Sequence, residues 1–162
     1  MQVQIPSYSQ ILNLKDKTGQ IYQSSVCFAC TSLKDLKRIS SNFLHSEELE
    51  YWSKLQFEKR KTSFLLGRYA GKNAIKILDD NQINEANILI KHGIFDHPVV
   101  YYPSNIRLQV ALSHCLYIGA ALAFPETHPM GIDVETITKT KQVTIDSVLT
   151  EYEKKIIYNL QN

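Results

Sequence analysis

Apolar positions recur along this chain with two periods, and the period marks the element. Residues 1–24 are polar and alternate weakly, which predicts a short strand at 3–5 and a turn near Lys17-Thr18-Gly19. Val26, Phe28 and Ala29 read as a buried strand over 25–30, and Thr31 or Ser32 can cap a short helix through Ile39 that Ser40-Ser41-Asn42 breaks. Ser46 is the expected N-cap of the next helix, with Glu47 and Glu48 in its first turn and Leu49, Trp52 and Leu55 on its buried face. The longest helical pattern covers 58–79. Leu66, Ala70, Ala74 and Ile77 make its apolar stripe, and Arg68, Lys72 and Lys76 make a basic one. The basic stripe is either a solvated face or a site for an anion. Asp79-Asp80-Asn81 ends this helix.

The second half turns to short extended pieces. Strands are predicted at 88–90, at 99–102, at 108–112 running into Ser113-His114, and at 117–124. Phe95-Asp96-His97-Pro98 is a loop, because the residue before a proline is pushed away from helix. Pro125 to Pro129 turns the chain back, and 130–135 is the returning strand of a β-meander. A basic polar loop at 136–142 leads to a helix over 145–160 with Val148, Ile156, Ile157 and Leu160 as its apolar members. The pattern as a whole predicts one α/β (α+β) domain over 1–162, a small antiparallel sheet with packed helices.

Composition narrows the class. At 162 residues and 44% hydrophobic the chain can bury a sizeable core, and a net charge of +2 is too small to argue nucleic-acid binding by itself. The polar opening carries no signal-peptide pattern, no apolar stretch reaches the length of a membrane helix, and three cysteines point to free thiols in a reducing cytoplasm. Cys27 and Cys30 form a C-x-x-C without a second pair. In a strand their side chains point to opposite faces, so they read as core cysteines rather than metal ligands.

The candidate chemistry centres on Gly131-Ile132-Asp133-Val134-Glu135. In an extended strand Asp133 and Glu135 share a face while Ile132 and Val134 face a core. Two adjacent carboxylates, completed by water and a substrate phosphate, suit Mg²⁺. Gly131 would let a ligand or another backbone approach. The alternative is an amphipathic strand with a solvated acidic face.

Four features lie in one order: Phe64-Leu65-Leu66-Gly67-Arg68-Tyr69-Ala70-Gly71-Lys72, His97-Pro98, Leu112-Ser113-His114 and Gly131-Ile132-Asp133-Val134-Glu135. Leu149-Thr150-Glu151-Tyr152-Glu153 follows them. This set resembles the N-terminal half of the 4′-phosphopantetheinyl transferases of the surfactin-synthetase-activating type. The resemblance implies one half of a pseudo-dimeric fold. It also implies a Mg²⁺-dependent transfer of the phosphopantetheine arm of coenzyme A to a serine of an acyl or peptidyl carrier protein, with release of 3′,5′-ADP. Asp133 and Glu135 match the metal ligands, and Arg68 and Lys72 match basic positions that meet coenzyme A phosphates, with Arg60 and Lys61 able to assist. His114, with Ser113 beside it, matches the histidine at the 3′-phosphate, and the loop Phe95–Pro98, with His97 and Pro98, matches the adenine-binding segment. Either Glu153 or Glu151 matches the glutamate that helps deprotonate the carrier serine.

The sequence departs from that pattern twice. A lysine is replaced by His97, and the W-x-x-K-E-A helix, with its third acidic ligand, is expected beyond Asn162. The resemblance therefore implies a half that transfers slowly or not at all alone, completed by a second chain or a homodimer. A phosphate-binding module without chemistry and a purely structural interaction domain are the competing readings.

Overall fold

The computed structural model describes residues 5–79, 83–103 and 107–159, without the side chains of Lys139 and Tyr158. Val3, Asp80, Asn81 and Leu160 lie outside the described residues. The chain opens with a hairpin, β1 (Ser7–Lys15) and β2 (Ile21–Cys30). Asp16 closes its turn by accepting from the Thr18 and Gln20 backbone N–H groups, and Gly19 takes the left-handed conformation there (φ 92°). The predicted turn is therefore correct, but the first strand is not where the weak alternation put it: Ile5 lies in no strand and β1 begins at Ser7, while β2 starts four residues before the predicted 25–30.

Three helices follow: α1 (Leu33–Phe43), α2 (Ser46–Lys54) and α3 (Glu58–Leu78). Ser32 caps α1, and α1 runs through the Ser-Ser-Asn segment that was expected to break it. The N-cap of α2 is His45, not Ser46: its ring accepts the Glu47 N–H while the Glu48 carboxylate reaches back to the His45 N–H, a capping box. After a 3₁₀ turn at Glu85–Asn87 come β3 (Leu89–His92) and β4 (Pro98–Tyr101), which pair in a small antiparallel sheet. β5 (Leu108–Cys115) and β6 (Ile118–Pro125) join the first hairpin in a four-stranded antiparallel sheet of order β1-β2-β6-β5.

α3 is the central element, packed on both sides. One side lies on the sheet, where Ala70, Ala74 and Ile75 meet Cys27, Val110, Ala121 and Ala123. The other side lies under α1 and α2, where Leu65 and Leu66 meet Leu36, Phe43 and Leu44. The strand facing the helix presents only small residues, Gly119, Ala121 and Ala123, because alternate residues of β6 share a face. Gly119 is required by close approach: a Cβ there would lie 2.8 Å from the Leu66 carbonyl oxygen. Cys27 is buried against α3 and Cys30 is exposed, so only one of the two is a core cysteine.

Beyond β6 the expected third strand does not form. Residues 129–138 carry no helix or strand, so the meander reduces to the β5–β6 hairpin. Burial still alternates from exposed Gly131 to exposed Glu135. Met130 and Ile132 cover Val26, Leu122 and Phe124 on the sheet face opposite α3. The pattern records one-sided packing, which an extended segment achieves without a hydrogen-bonded ladder. The single C-terminal helix is likewise two, α4 (Lys139–Val148) and α5 (Glu151–Asn159), because Thr138 and Thr150 each start a new one. No helix among the described residues is long and apolar enough to cross a membrane.

Replacing Gly119 by Ala is expected to cost about 1–3 kcal/mol, the range for overpacking a filled interior. Gly131→Ala, where nothing lies within 4 Å of an added Cβ, should stay within about 0.5 kcal/mol in urea unfolding.

Candidate functional site

A groove of about 670 Å³ opens beside α3, lined by Tyr51, Leu55 and Phe57, by Lys59, Arg60, Ser63, Phe64, Gly67 and Arg68 of α3, and by His92, Leu112 and His114. Three of the sequence candidates therefore meet here: Arg60, Arg68 and His114. Lys59 and His92 join them unannounced. Lys59 sits in a visible basic run, Lys59-Arg60-Lys61, whereas β3 carries His92 to the wall through tertiary packing alone. The lining combines apolar and aromatic surface with cationic heads, a combination suited to a base or acyl chain joined to phosphates.

The basic stripe of α3 is not a solvated face, and of its three cations Arg68 alone lines the groove. Arg68 is 5% and Lys72 0% exposed, and both close on Glu48, itself 3% exposed. Lys72 Nζ lies 2.5 Å from Glu48 Oε2 and donates to the Phe43 and Glu85 carbonyls at 2.7 and 3.1 Å. With three acceptors for three N–H groups, Lys72 cannot reach a coenzyme A phosphate, and its expected role is corrected accordingly. Arg68 Nε lies 3.1 Å from Glu48 Oε1, a charge contact rather than an aligned hydrogen bond. Its guanidinium stacks 4.5 Å from the Phe64 ring centroid. Burial pushes the Arg68 and Lys72 pKa values down, and Glu48 opposes the shift in both. Lys76 pairs with Glu85 at 2.7 Å. Helical spacing shows that these cations share a stripe but not that α2 covers it, so sequence reasoning missed Glu48.

β5 splits the next pair of candidates. Leu108, Val110 and Leu112 face α3, and His114 continues that face into the groove. Ser113 points the other way and does not line the groove, which corrects its expected place beside His114. Its hydroxyl instead donates to Asp133 Oδ1 (2.7 Å) and accepts the Val134 N–H (3.1 Å). Cys115 Sγ lies 2.8 Å from Thr136 Oγ1, so the end of β5 pins the acidic segment at two points. Asp133 and Glu135 are both exposed, and Glu135 pairs with Lys141 of α4. That pairing, with Asp133 beyond it, raises the Lys141 pKa. Nothing protein-borne lies near Gly131, so within the chain it serves no close approach.

His97 and Pro98 stand at the β3–β4 turn, outside the groove lining. The His97 ring lies over Gly93, where a Cβ would meet it at 2.5 Å, and Asp96 takes φ 57°. Glu151 and Glu153 are exposed on α5, also outside the groove. Glu151 pairs with Lys154 at 2.7 Å. Glu153 Oε2 accepts from the Thr150 hydroxyl (2.7 Å) and backbone N–H (2.8 Å), which hold its carboxyl below the usual carboxylate range. Glu153 thus closes a capping box like that of Glu48, and each box follows a leucine, Leu149 and Leu44.

Among solved structures the chain is similar to a holo-(acyl-carrier-protein) synthase from Bacillus anthracis str. Ames in complex with CoA (3′,5′-ADP). That match has a TM-score of 0.53 and 16% identity over 60% of this chain and 91% of that one. It is also similar to the holo-[acyl-carrier-protein] synthase of Neisseria meningitidis (TM-score 0.51, 21% identity, 61% and 94% covered). A third match is the holo-ACP synthase of Plasmodium yoelii (0.51, 16%, 73% and 96%). The fold is that of the holo-(acyl-carrier-protein) synthases. No family model matches the sequence, and no curated protein does. The α+β architecture expected from the pattern is therefore observed, and the surfactin-type subdivision rests on the motifs alone.

Ser113→Ala should release the acidic segment, seen as faster amide hydrogen exchange at Val134 with the groove residues unchanged. Glu153 has a depressed folded-state pKa, so its contribution is present above the usual carboxylate range and lost as pH falls through the folded value. The Thr150 amide signal should report loss of the α5 cap in acid, and Glu153→Gln should remove that titration.

Proposed function

We propose that the groove binds coenzyme A and that the chain transfers its 4′-phosphopantetheine arm to a carrier-protein serine. The observation that carries this reading is the convergence of Lys59, Arg60, Arg68, His92 and His114 on one aromatic-lined groove. They do so in a fold that a CoA-bound synthase shares. In the reaction the serine oxygen bonds to the phosphorus bearing pantetheine, the bond to the bridging oxygen breaks, and 3′,5′-ADP leaves with the electron pair. Negative charge grows on the diphosphate, and the cations of the groove stand ready for it without reorganisation. Tyr51, Phe57 and Phe64 add aromatic surface to the groove against which the adenine can pack.

Asp133 and Glu135 fit a divalent cation in part. Both are exposed, and Ser113 orients Asp133, but Glu135 must leave Lys141. Among the described residues no cluster of three or more His, Cys, Asp or Glu completes the set. Water and the diphosphate would supply the remaining oxygens, as Mg²⁺ commonly requires. A bound Mg²⁺ would neutralise the charge developing on the leaving diphosphate. The serine proton goes to a base, for which the family pattern offers Glu153 or Glu151. Their absence from the groove lining, together with the commitment of Lys72, favours a second reading: a module that binds the nucleotide without chemistry.

Incubating the chain with coenzyme A, Mg²⁺ and an apo carrier protein separates the two, since only transfer adds the arm's mass to the carrier. Arg60→Ala and His114→Ala should each weaken coenzyme A binding about tenfold, the scale of one lost charge-assisted hydrogen bond. Asp133→Ala should abolish the Mg²⁺-dependent part of that binding and leave stability nearly unchanged. Wild-type Mg²⁺ dependence in that variant would refute the metal assignment.

A further inference from the structure

A second cavity of about 290 Å³ adjoins the groove across Tyr51, Phe64, Arg68 and His92 and is otherwise lined by Glu47 and Glu48 of α2 and by β3. Arg68 thus stands in the wall common to both spaces. The charges around it do not balance. Glu48 brings one carboxylate to two cations, Arg68 and Lys72. The nearby carboxylates are engaged elsewhere, Glu85 with Lys76 and Glu47 with Lys91. All three Lys72 donors are taken. Among the described residues no second carboxylate meets the Arg68 guanidinium, so the surplus positive charge faces space only there. Burying an uncompensated charge is costly, and an anion placed against Arg68 would relieve it.

We infer that Glu48 is the positioning residue of the anion site in this groove. It does not line the groove and acts there through Arg68. Its Oε1 accepts the Ile90 N–H and faces Arg68 Nε, while Oε2 accepts the His45 N–H and holds Lys72. Held from four sides, it sets Arg68 against the Phe64 ring in the wall of the groove, where a ligand phosphate completes the cluster. The inference rests on the groove being a phosphate site, and it assigns the placing of that phosphate to a residue of α2.

The double variant Glu48→Gln/Lys72→Met tests this, because it removes one charge of each sign and leaves the surplus on Arg68 unchanged. Calorimetry with 3′,5′-ADP, inorganic pyrophosphate and adenosine is the readout, with circular dichroism to establish folding. The expected result is a loss of at least about tenfold for both phosphate ligands, with adenosine affinity within about twofold of wild type. Equal loss for adenosine and 3′,5′-ADP, or full phosphate affinity in a folded variant, overturns the inference. Should the double variant not fold, Arg68→Lys carries the same readout, since lysine keeps the charge but cannot be held through Nε against the ring. Wild-type binding of pyrophosphate but not 3′,5′-ADP removes the nucleotide reading, and the pyrophosphate loss in the variant then decides the role of Glu48. Wild-type binding of neither overturns both.

Discussion

The buried carboxylate of Glu48 joins three elements, α2, β3 and α3, at one point. Through the His45 N–H it closes the start of α2, through the Ile90 N–H it ties down β3, and through Arg68 and Lys72 it clamps both to α3. Two cations could not stay inside this fold without it, because each isolated buried charge costs several kcal/mol. The arrangement also explains how α3 carries cations on a face that packs as tightly as its apolar side. The donors of Lys72 are matched there, with the backbone carbonyls of Phe43 and Glu85 completing its coordination, and Arg68 keeps the unmatched positive charge. The groove then forms at the edge of this clamp, where Arg68 is the last member of the cluster before open space.

β5 couples that basic groove to the acidic segment. Strand alternation sends Leu112 and His114 toward α3 and sends Ser113 and Cys115 to the opposite face. Consecutive residues therefore serve two sites: His114 in the groove wall, Ser113 as the anchor of Asp133. The segment from Met130 to Thr136 has no ladder of its own. It depends on Met130 and Ile132 lying over the sheet and on the side chains of Ser113 and Cys115. The small-residue face of β6 makes the geometry possible, since it lets α3 come within contact of the Gly119 backbone and brings the helix close to the end of β5.

Much of this was legible in the linear sequence. Period-2 alternation located β5, short apolar runs located β6 and the second half of β2, and 3.6-residue spacing located α3 to within a residue of its end, because those patterns follow from which faces are buried. The order of the Gly-Arg helix, the Ser-His strand end and the Gly-Ile-Asp-Val-Glu stretch pointed to a transferase fold that the solved synthases share. What the sequence did not determine is what covers each stripe. Arg68, Lys72 and Lys76 have the spacing of a solvated face, yet α2 lies across it and converts two of them into a buried ion cluster. Ser113 and His114 are neighbours in sequence and belong to opposite faces. Ile132 and Val134 have a strand's alternation without a strand's partner. Glu48 looked like an ordinary first-turn glutamate because its spacing to His45 is local, while its partners Arg68, Lys72 and Ile90 lie 20, 24 and 42 residues away. Local spacing fixes which residues share a face. Only the tertiary structure decides what that face meets, because buried charges depend on groups that chain folding, and not sequence proximity, brings within hydrogen-bond reach.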